Sequence, residues 1–384
     1  METVAVKRCR NYKTKDLDHK LGELLERLGG LNNFIKAGDR VLLKVNLLMG
    51  KSPEAAVTTD PRLVTAVGRR INRLGGKVVI GDSPGGPFTE DSLKKAYRAS
   101  GLTEVAEQIN AELNIDTGQS RWVYARGKYS KSFVISNFAD GVDVIINLPI
   151  LKTHGLTLYT GGVKNLFGLI PGLLKAEYHL KMPEIEKFSE MLIDLALLIK
   201  PDLTIMDGIV GMEGEGPSSG RPKKFGYLLA SSSVFALDVA GAHLMGIEPL
   251  TRVTTIDRAG ERGLPARLEE IELKGDSLEA DRSTELPVIE TYSNLIDQRL
   301  PAPLAGLAAR WLRPRPVFNN DRCVGCGDCV QSCPPGALTL KEGRPEVVLD
   351  KCLRCFCCQE LCPYDAVTIK RPWLSRLLYK FMKN

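Results

Sequence analysis

Residues 1–322 contain a single cysteine, Cys9, and the whole chain has only four histidines, His19, His154, His179 and His243. A disulfide framework spread through the fold is therefore excluded, and the large N-terminal part has no histidine-based metal cluster. No apolar run approaches the ~20 residues of a spanning helix. The longest, residues 144–151 and 195–199, are far shorter. The opening METVAVKRCRNYKTK has no apolar core of the ~7 residues that a secretory signal needs. The expected location is cytoplasmic, or at most a membrane surface. Neither G-x-G-x-x-G nor G-x-x-x-x-G-K-[ST] occurs, so a dinucleotide fingerprint and P-loop ATP hydrolysis are both unsupported. GMEGEGP, at residues 211–217, has the wrong glycine spacing, and Glu213 and Glu215 would repel a pyrophosphate.

The composition is that of a globular chain: 384 residues, 43% hydrophobic and 26% charged, enough for about two to three domains. The net charge of +6 is unevenly placed. Residues 299–316 carry Arg299, Arg310, Arg313 and Arg315 with no acid. Residues 371–384 carry Arg371, Arg376, Lys380 and Lys383, again with no acid. Those eight charges leave −2 for the rest of the chain, so no nucleic-acid partner is expected. The first basic stretch is Pro-rich at both ends, like a linker. The second sets Trp373, Leu374, Leu377, Leu378 and Phe381 at helical spacing. It suits packing against a neighbouring domain or peripheral contact with an anionic membrane.

Four segments follow: an α/β region over residues 1–298, the basic linker 299–316, a compact cysteine domain 317–370 and a basic amphipathic helix 371–384. In the first, strand-like runs at 41–45, 78–80, 142–148, 203–206 and 227–230 alternate with helix-like stretches at 17–28, 61–74, 92–99, 186–200 and 234–245. Such alternation implies a mostly parallel sheet with helices on both faces.

The other nine cysteines lie between Cys323 and Cys362, in a repeat offset by 29 residues. DRCVGCGDCVQSCPPGAL from Asp321 aligns with DKCLRCFCCQELCPYDAV from Asp350. Each half is C-x2-C-x2-C-x3-C-P, the spacing of bacterial two-cluster ferredoxins. In that spacing the fourth cysteine of each run serves the other cluster. One set is then Cys323, Cys326, Cys329 and Cys362, the other Cys352, Cys355, Cys358 and Cys333. Structural zinc also takes four thiolates, but usually as two C-x2-C pairs across a longer spacer. Cys357 faces Asp328 in the alignment and reads as a bystander; Cys9 reads as a small buried residue. The block resembles a small α+β ferredoxin domain with two [4Fe-4S] clusters, which implies one-electron transfer at low potential.

In the α/β region, four strand-like runs end in polar turns: KVNLLMG with Lys44 and Asn46, VVIGDSPGGP with Asp82 and Ser83, INLPILKTHGLTLYTGGVKNLFGLIPG with Asn147, Lys152, His154, Lys164 and Asn165, and TIMDGIVGMEGEGPSSG with Asp207. Each has an ordinary reading as a sheet-edge cap, turn starter or hydrogen-bonded loop residue. Their shared place at strand ends points to one pocket, because open parallel sheets bind ligands there. Lys152, His154, Lys164 and Asp207 are its candidate catalytic groups; Lys44, Asn46, Asp82, Ser83 and Asn165 are its candidate binding groups. The stretches KVNLL, TTDPRLV, GDSPGG, LPILKTHGLTLYTGGVKNLFG and DGIVGMEGEGPSSGRPKK, spread over most of residues 4–249, resemble the domain of unknown function family 362, a family of iron–sulfur-centre proteins. The resemblance implies an α/β domain fused to a ferredoxin unit and supplies no substrate.

Two functions are compatible with these features. In one, the clusters carry single electrons for a redox partner protein or for the α/β domain. In the other, the protein is an oxidoreductase whose strand-end pocket binds a small anionic substrate or cofactor and receives electrons from the clusters.

Overall fold

Short runs of β-branched and aliphatic residues, each followed by an amphipathic stretch, bury both kinds of apolar surface by stacking helices on a sheet. A computed structural model describes residues 1–287, 314–370 and 372. The chain divides into two compact units at Pro287 and Val288, ahead of the boundary expected at 298. Most of the basic linker and all but residue 372 of the C-terminal basic segment lie outside the described residues. Among the described residues no helix is long and apolar enough to cross a membrane.

In chain order, the strands of the first unit are β1 (Glu2–Arg8), β2 (Arg40–Val45), β3 (Lys77–Gly81), β4 (Glu112–Leu113), β5 (Gln119–Val123), β6 (Ser132–Ser136), β7 (Val144–Leu148), β8 (Ile150–His154), β9 (Leu158–Thr160), β10 (Leu203–Glu213), β11 (Arg221–Ser231) and β12 (Ile271–Gly275). Ten of them form one sheet in the order β12-β1-β11-β10-β7-β2-β3-β4, with β8 on β10 and β9 on β8. Neighbours from β10 through β7, β2 and β3 to β4 run parallel. Strand β11 is antiparallel to both its neighbours, and β5 and β6 form a separate hairpin.

The helices are α1 (Thr14–Glu26), α2 (Pro61–Arg73), α3 (Glu90–Ala99), α4 (Leu102–Ile109), α5 (Gly162–Asn165), α6 (Leu174–Lys181), α7 (Ile185–Ile199), α8 (Val234–Leu244) and α9 (Thr254–Glu261). Period-two alternation in β2 decides which face each strand residue serves. Val41, Leu43 and Val45 pack with the apolar sides of α1 to α4. Leu42 points the other way, into a core built by α5, α7, α8 and α9. The expected mostly parallel sheet covered on both faces is therefore observed. From β2 the chain steps to β3 on one side and later returns to β7 on the other. Open parallel sheets bind ligands at such a reversal, here beyond the carboxyl ends of β2 and β7.

Two stretches expected to be loops are strands instead. The ILKTH segment forms β8 because Asp207 and Met212 of β10 give it a parallel partner and β9 closes its other side. Strand β10 does not stop at Met206. Ile209 and Met212 are buried apolar residues, and β11 pairs with β10 as far as Glu213, across an irregularity at Gly208 to Val210.

In the second unit β13 (Arg315–Phe318), α10 (Asp328–Gln331), β14 (Leu338–Lys341), β15 (Arg344–Val347), α11 (Cys357–Glu360) and β16 (Val367–Lys370) repeat at the 29-residue offset. Strand β13 corresponds to β15, β14 to β16, and α10 to α11. The chain pairs β13 with β16 and β14 with β15, so each two-stranded sheet combines a strand from each half-motif.

Asp194 of α7 fixes the β5–β6 connection in the first unit. It accepts from the backbone N–H groups of Lys128 (3.0 Å), Tyr129 (2.7 Å) and Ser130 (2.8 Å), and from Arg262 of the segment after α9 (2.8 Å). Asp194→Ala strands those donors in a buried site and should cost about 3–5 kcal/mol. Urea unfolding of the full chain reads this directly, and an unchanged midpoint refutes it.

Candidate functional site

The cysteine spacing places its thiols around two separate cavities. Cys323, Cys326, Cys329 and Cys362 line one, with about 370 Å³ of empty space including its open mouth. Cys333, Cys352, Cys355 and Cys358 line the other, at about 330 Å³, with Cys357 beside them. Each cavity takes three thiols from one half and the fourth from the other. The backbone N–H of Ala337 donates to Cys333 Sγ at 3.2 Å, and that of Ala366 to Cys362 Sγ at 3.3 Å. These equivalent bonds support charge on both sulfurs. Apolar side chains complete the walls: Phe318, Leu340 and Val367 in the first cavity, Leu338 and Val347 in the second. Among the described residues no three His, Cys, Asp or Glu side chains gather closely enough for a single metal ion. The thiols surround a space instead of meeting at a point, a donor set that fits a multi-iron cluster.

The backbone of the two halves is alike even where the residues differ. Gly325 and Gly327 have φ of 72° and 85°. Their counterparts Arg354 and Phe356 hold the same left-handed region at 59° and 60°, which glycine enters freely and other residues do not.

In the first unit, Lys44 of β2 and Lys152 of β8, two of the lysines expected at strand ends, are buried. Lys44 pairs with Asp82 at 3.0 Å, and its Nζ also donates to the Val45 carbonyl at 2.7 Å. Burial favours the neutral form of both partners, pulling Lys44 down and pushing Asp82 up, while their attraction opposes this. Asp82 further accepts from the Leu47 and Ser83 N–H groups at 2.6 and 2.7 Å. Lys152 donates to Asn46 Oδ1 at 2.7 Å and to the Val57 carbonyl at 2.9 Å. From Asn46 a row of amides continues through Asn165 (2.7 Å) and Asn147 (2.8 Å) to the Gly162 carbonyl (3.1 Å). Lys44, Asn46, Asp82, Ser83, Lys152 and Asn165 are thus brought into adjoining networks.

His154 is buried, and its Nδ1 accepts from the Leu156 N–H at 3.0 Å. Burial, with the charges of Lys164, His179 and Lys152, holds it well below its usual range, so the ring is neutral. Lys164 of α5 also acts on His179, pulled down to about 3 chiefly by burial, and on Lys175. Lys175, missed in the sequence, bonds the Ser83 carbonyl and Oγ at 2.8 and 3.0 Å and the Ile170 carbonyl at 2.6 Å. Burial lowers it to about 7, Asp82 opposing and Lys44 and Lys164 adding to the shift. Asp238 of α8 was missed as well. It accepts from the Val163 N–H at 3.0 Å, from Tyr159 at 3.1 Å and from the Gly162 N–H at 2.5 Å, and so seats the turn that carries Lys164 and Asn165. A lone acid inside the apolar stretch VFALDVAGAHL was its sequence signal; Lys175 had none.

Asp207 is placed elsewhere. It lies inside β10, where Tyr12 donates to its two oxygens at 2.8 and 3.0 Å and the Ile209 N–H at 3.1 Å. Burial, then the nearby Asp60 charge, raises it to about 7. None of these partners belongs to the lysine group.

The family model described as domain of unknown function (DUF362) matches residues 41–243, more than half of the chain. The chain belongs to this family. A 4Fe-4S dicluster domain model matches residues 315–363, so the DUF362 domain is followed by an iron–sulfur domain in the same chain. A thylakoid-associated protein of Synechocystis sp. is 38% identical over 252 residues, covering 65% of this chain and 77% of that protein. Among solved structures, the lactate racemase apoprotein of Thermoanaerobacterium thermosaccharolyticum is 14% identical, with a TM-score of 0.40 over 69% of this chain and 67% of that one. A Thermotoga maritima protein is 11% identical, with a TM-score of 0.31 over 55% and 53% of the two chains.

The Asp207 environment makes a pH prediction. Its native pKa of about 7 stands above the ~3.9 of an unfolded aspartate. The native state therefore binds the extra proton, and this stabilisation is complete below about pH 4 and lost as pH rises through about 7. Asp207→Asn should gain stability relative to the parent protein between those limits. Thermal midpoints for both proteins across that range test this, and parallel curves count against it.

Proposed function

We propose that this protein carries single electrons through two [4Fe-4S] clusters in its second unit, serving the α/β domain or a docked redox partner protein. The reading rests on one observation: each cavity is lined by three motif thiols of one half and the fourth of the other. A bound cluster would supply one reversible electron at low potential. Cys323, Cys326, Cys329 and Cys362 would hold one, and Cys352, Cys355, Cys358 and Cys333 the other. The Ala337 and Ala366 amides favour thiolate charge, and the apolar walls limit water access.

Anaerobic reconstitution of the full chain should give on the order of eight iron and eight acid-labile sulfide per molecule. Cys362→Ser should impair the site whose other three thiols precede it by more than 30 residues, and should leave about half the iron. Zinc without labile sulfide would sink the proposal.

A second reading, that the α/β domain binds a small anion to be reduced by those electrons, is favoured by the lysines gathered at the strand ends. Lys44, Lys152, Lys164 and Lys175 come together there, and Asp82 is the carboxylate that opposes Lys44 and Lys175. An anionic phosphate or carboxylate group would favour the charged form of lysines that burial lowers. Half-buried Lys164 is the group to vary, because Lys44 and Lys152 hold the fold. Calorimetry with inorganic phosphate and, separately, a short carboxylate should show binding that Lys164→Met weakens about tenfold, or ~1.4 kcal/mol. If the parent protein binds neither anion, this reading fails.

A further inference from the structure

We propose that the two clusters are held at unequal reduction potentials, the one in the second cavity being the more easily reduced, and that Asp328 and Cys357 set the difference. The inference rests on the two-cluster reading above. It starts from the only position where the repeat puts a carboxylate against a thiol. The flanking residues largely match: Asp321 with Asp350, and Arg322 with Lys351. At the start of α10 the first half has Asp328, whereas α11 begins with Cys357.

Asp328 lines the first cavity, and among the described residues it is the only charged side chain lining either one. It is half-buried beside Cys326; its backbone N–H supports charge on that sulfur, as the Cys357 N–H does on Cys355, while its carboxylate opposes that charge. One-electron reduction adds negative charge to a thiolate-bound cluster, so an adjacent carboxylate makes it harder. In the second cavity the same place holds Cys357, a buried, uncharged member of the lining whose thiol lies beside the Cys355 sulfur and favours charge there. Hydrogen bonds to ligand sulfurs make reduction easier. Both differences act in the same direction.

Other charges stand near both cavities. Around the second cavity Arg354 favours charge on Cys352, and Glu360 disfavours it on Cys355, an opposed pair. Around the first, Arg344 is exposed and is bound to the carbonyls of Asn320 and Cys323, not to a sulfur. Cys326 is exposed, so water eases reduction at the first site and acts against the carboxylate. Among the described residues the one charge in either cavity wall nevertheless stands at the first site. An electron shared between the sites leaves the first oxidised by one equivalent and the second reduced by one.

The test is a potentiometric titration of the anaerobically reconstituted full chain, followed by electron paramagnetic resonance, with iron and sulfide measured on each sample. The parent protein should reduce in two separated steps. Asp328→Asn should raise the lower midpoint by a tenfold change in its reduction equilibrium, 59 mV for one electron, at unchanged iron content. Cys357→Ala should lower the upper midpoint and leave the other in place. Full iron content with coincident midpoints, or two midpoints that neither variant moves, overturns this inference alone. A parent protein that takes up no cluster iron overturns the two-cluster reading beneath it.

Discussion

Lys44 and Asp82 lie at the carboxyl ends of adjacent parallel strands, 3.0 Å apart and shielded from solvent. Removing one partner would leave the other as an uncompensated buried charge, which typically costs about 3–5 kcal/mol. The constraint reaches well beyond the pair. Asp82 holds the turns after β2 and β3 through the Leu47 and Ser83 amides. Ser83 receives the Gly172 N–H and the Lys175 ammonium. The chain after α5 passes so close that a Cβ on Gly168 would stand 2.1 Å from Asp82 Oδ1 and 2.6 Å from Lys44 Nζ. That position accepts only glycine for a reason of space. Several loops at the strand ends thus depend on one ion pair.

The lysines divide the work between holding and offering. Lys44, Lys152 and Lys175 have their donors committed to protein oxygens across the β2, β3 and β8 ends. Lys152 also bears on His154, together with Lys164, although burial is the larger cause of that ring's neutral form. An arrangement of this kind presents positive potential without presenting loose side chains, which lowers the entropy lost on meeting an anion.

The sequence was most legible where chemistry and spacing are rigidly linked. Thiolate spacing is fixed by the size of the group it surrounds, so the cysteine pattern anticipated which four residues line each cavity. The parallel sheet was legible from 41–45, 78–80 and 142–148 because fully buried strands read as aliphatic runs. Lys152 and His154 were expected in a loop since ILKTH has three polar members. Their strand comes from partners supplied by β9 and β10, far along the chain. Asp207 looked like a strand-end group for a similar reason: only the pairing with β11 reveals that β10 continues past it. Lys175 sits in an ordinary-looking helix, and nothing local distinguishes it from a solvated lysine.

The two halves of the second unit share a backbone but not the means of reaching it. Where the first turn uses Gly325 and Gly327, the second places Arg354 and Phe356 at positive φ, a conformation that costs non-glycine residues roughly 1–2 kcal/mol each. The first turn is close to what its chain would adopt unaided. The second holds its shape against that cost, through the packing and strand pairing of the rest of its unit. The duplicated motif is therefore symmetric in shape and asymmetric in backbone cost: one half enters its turn freely, the other under strain.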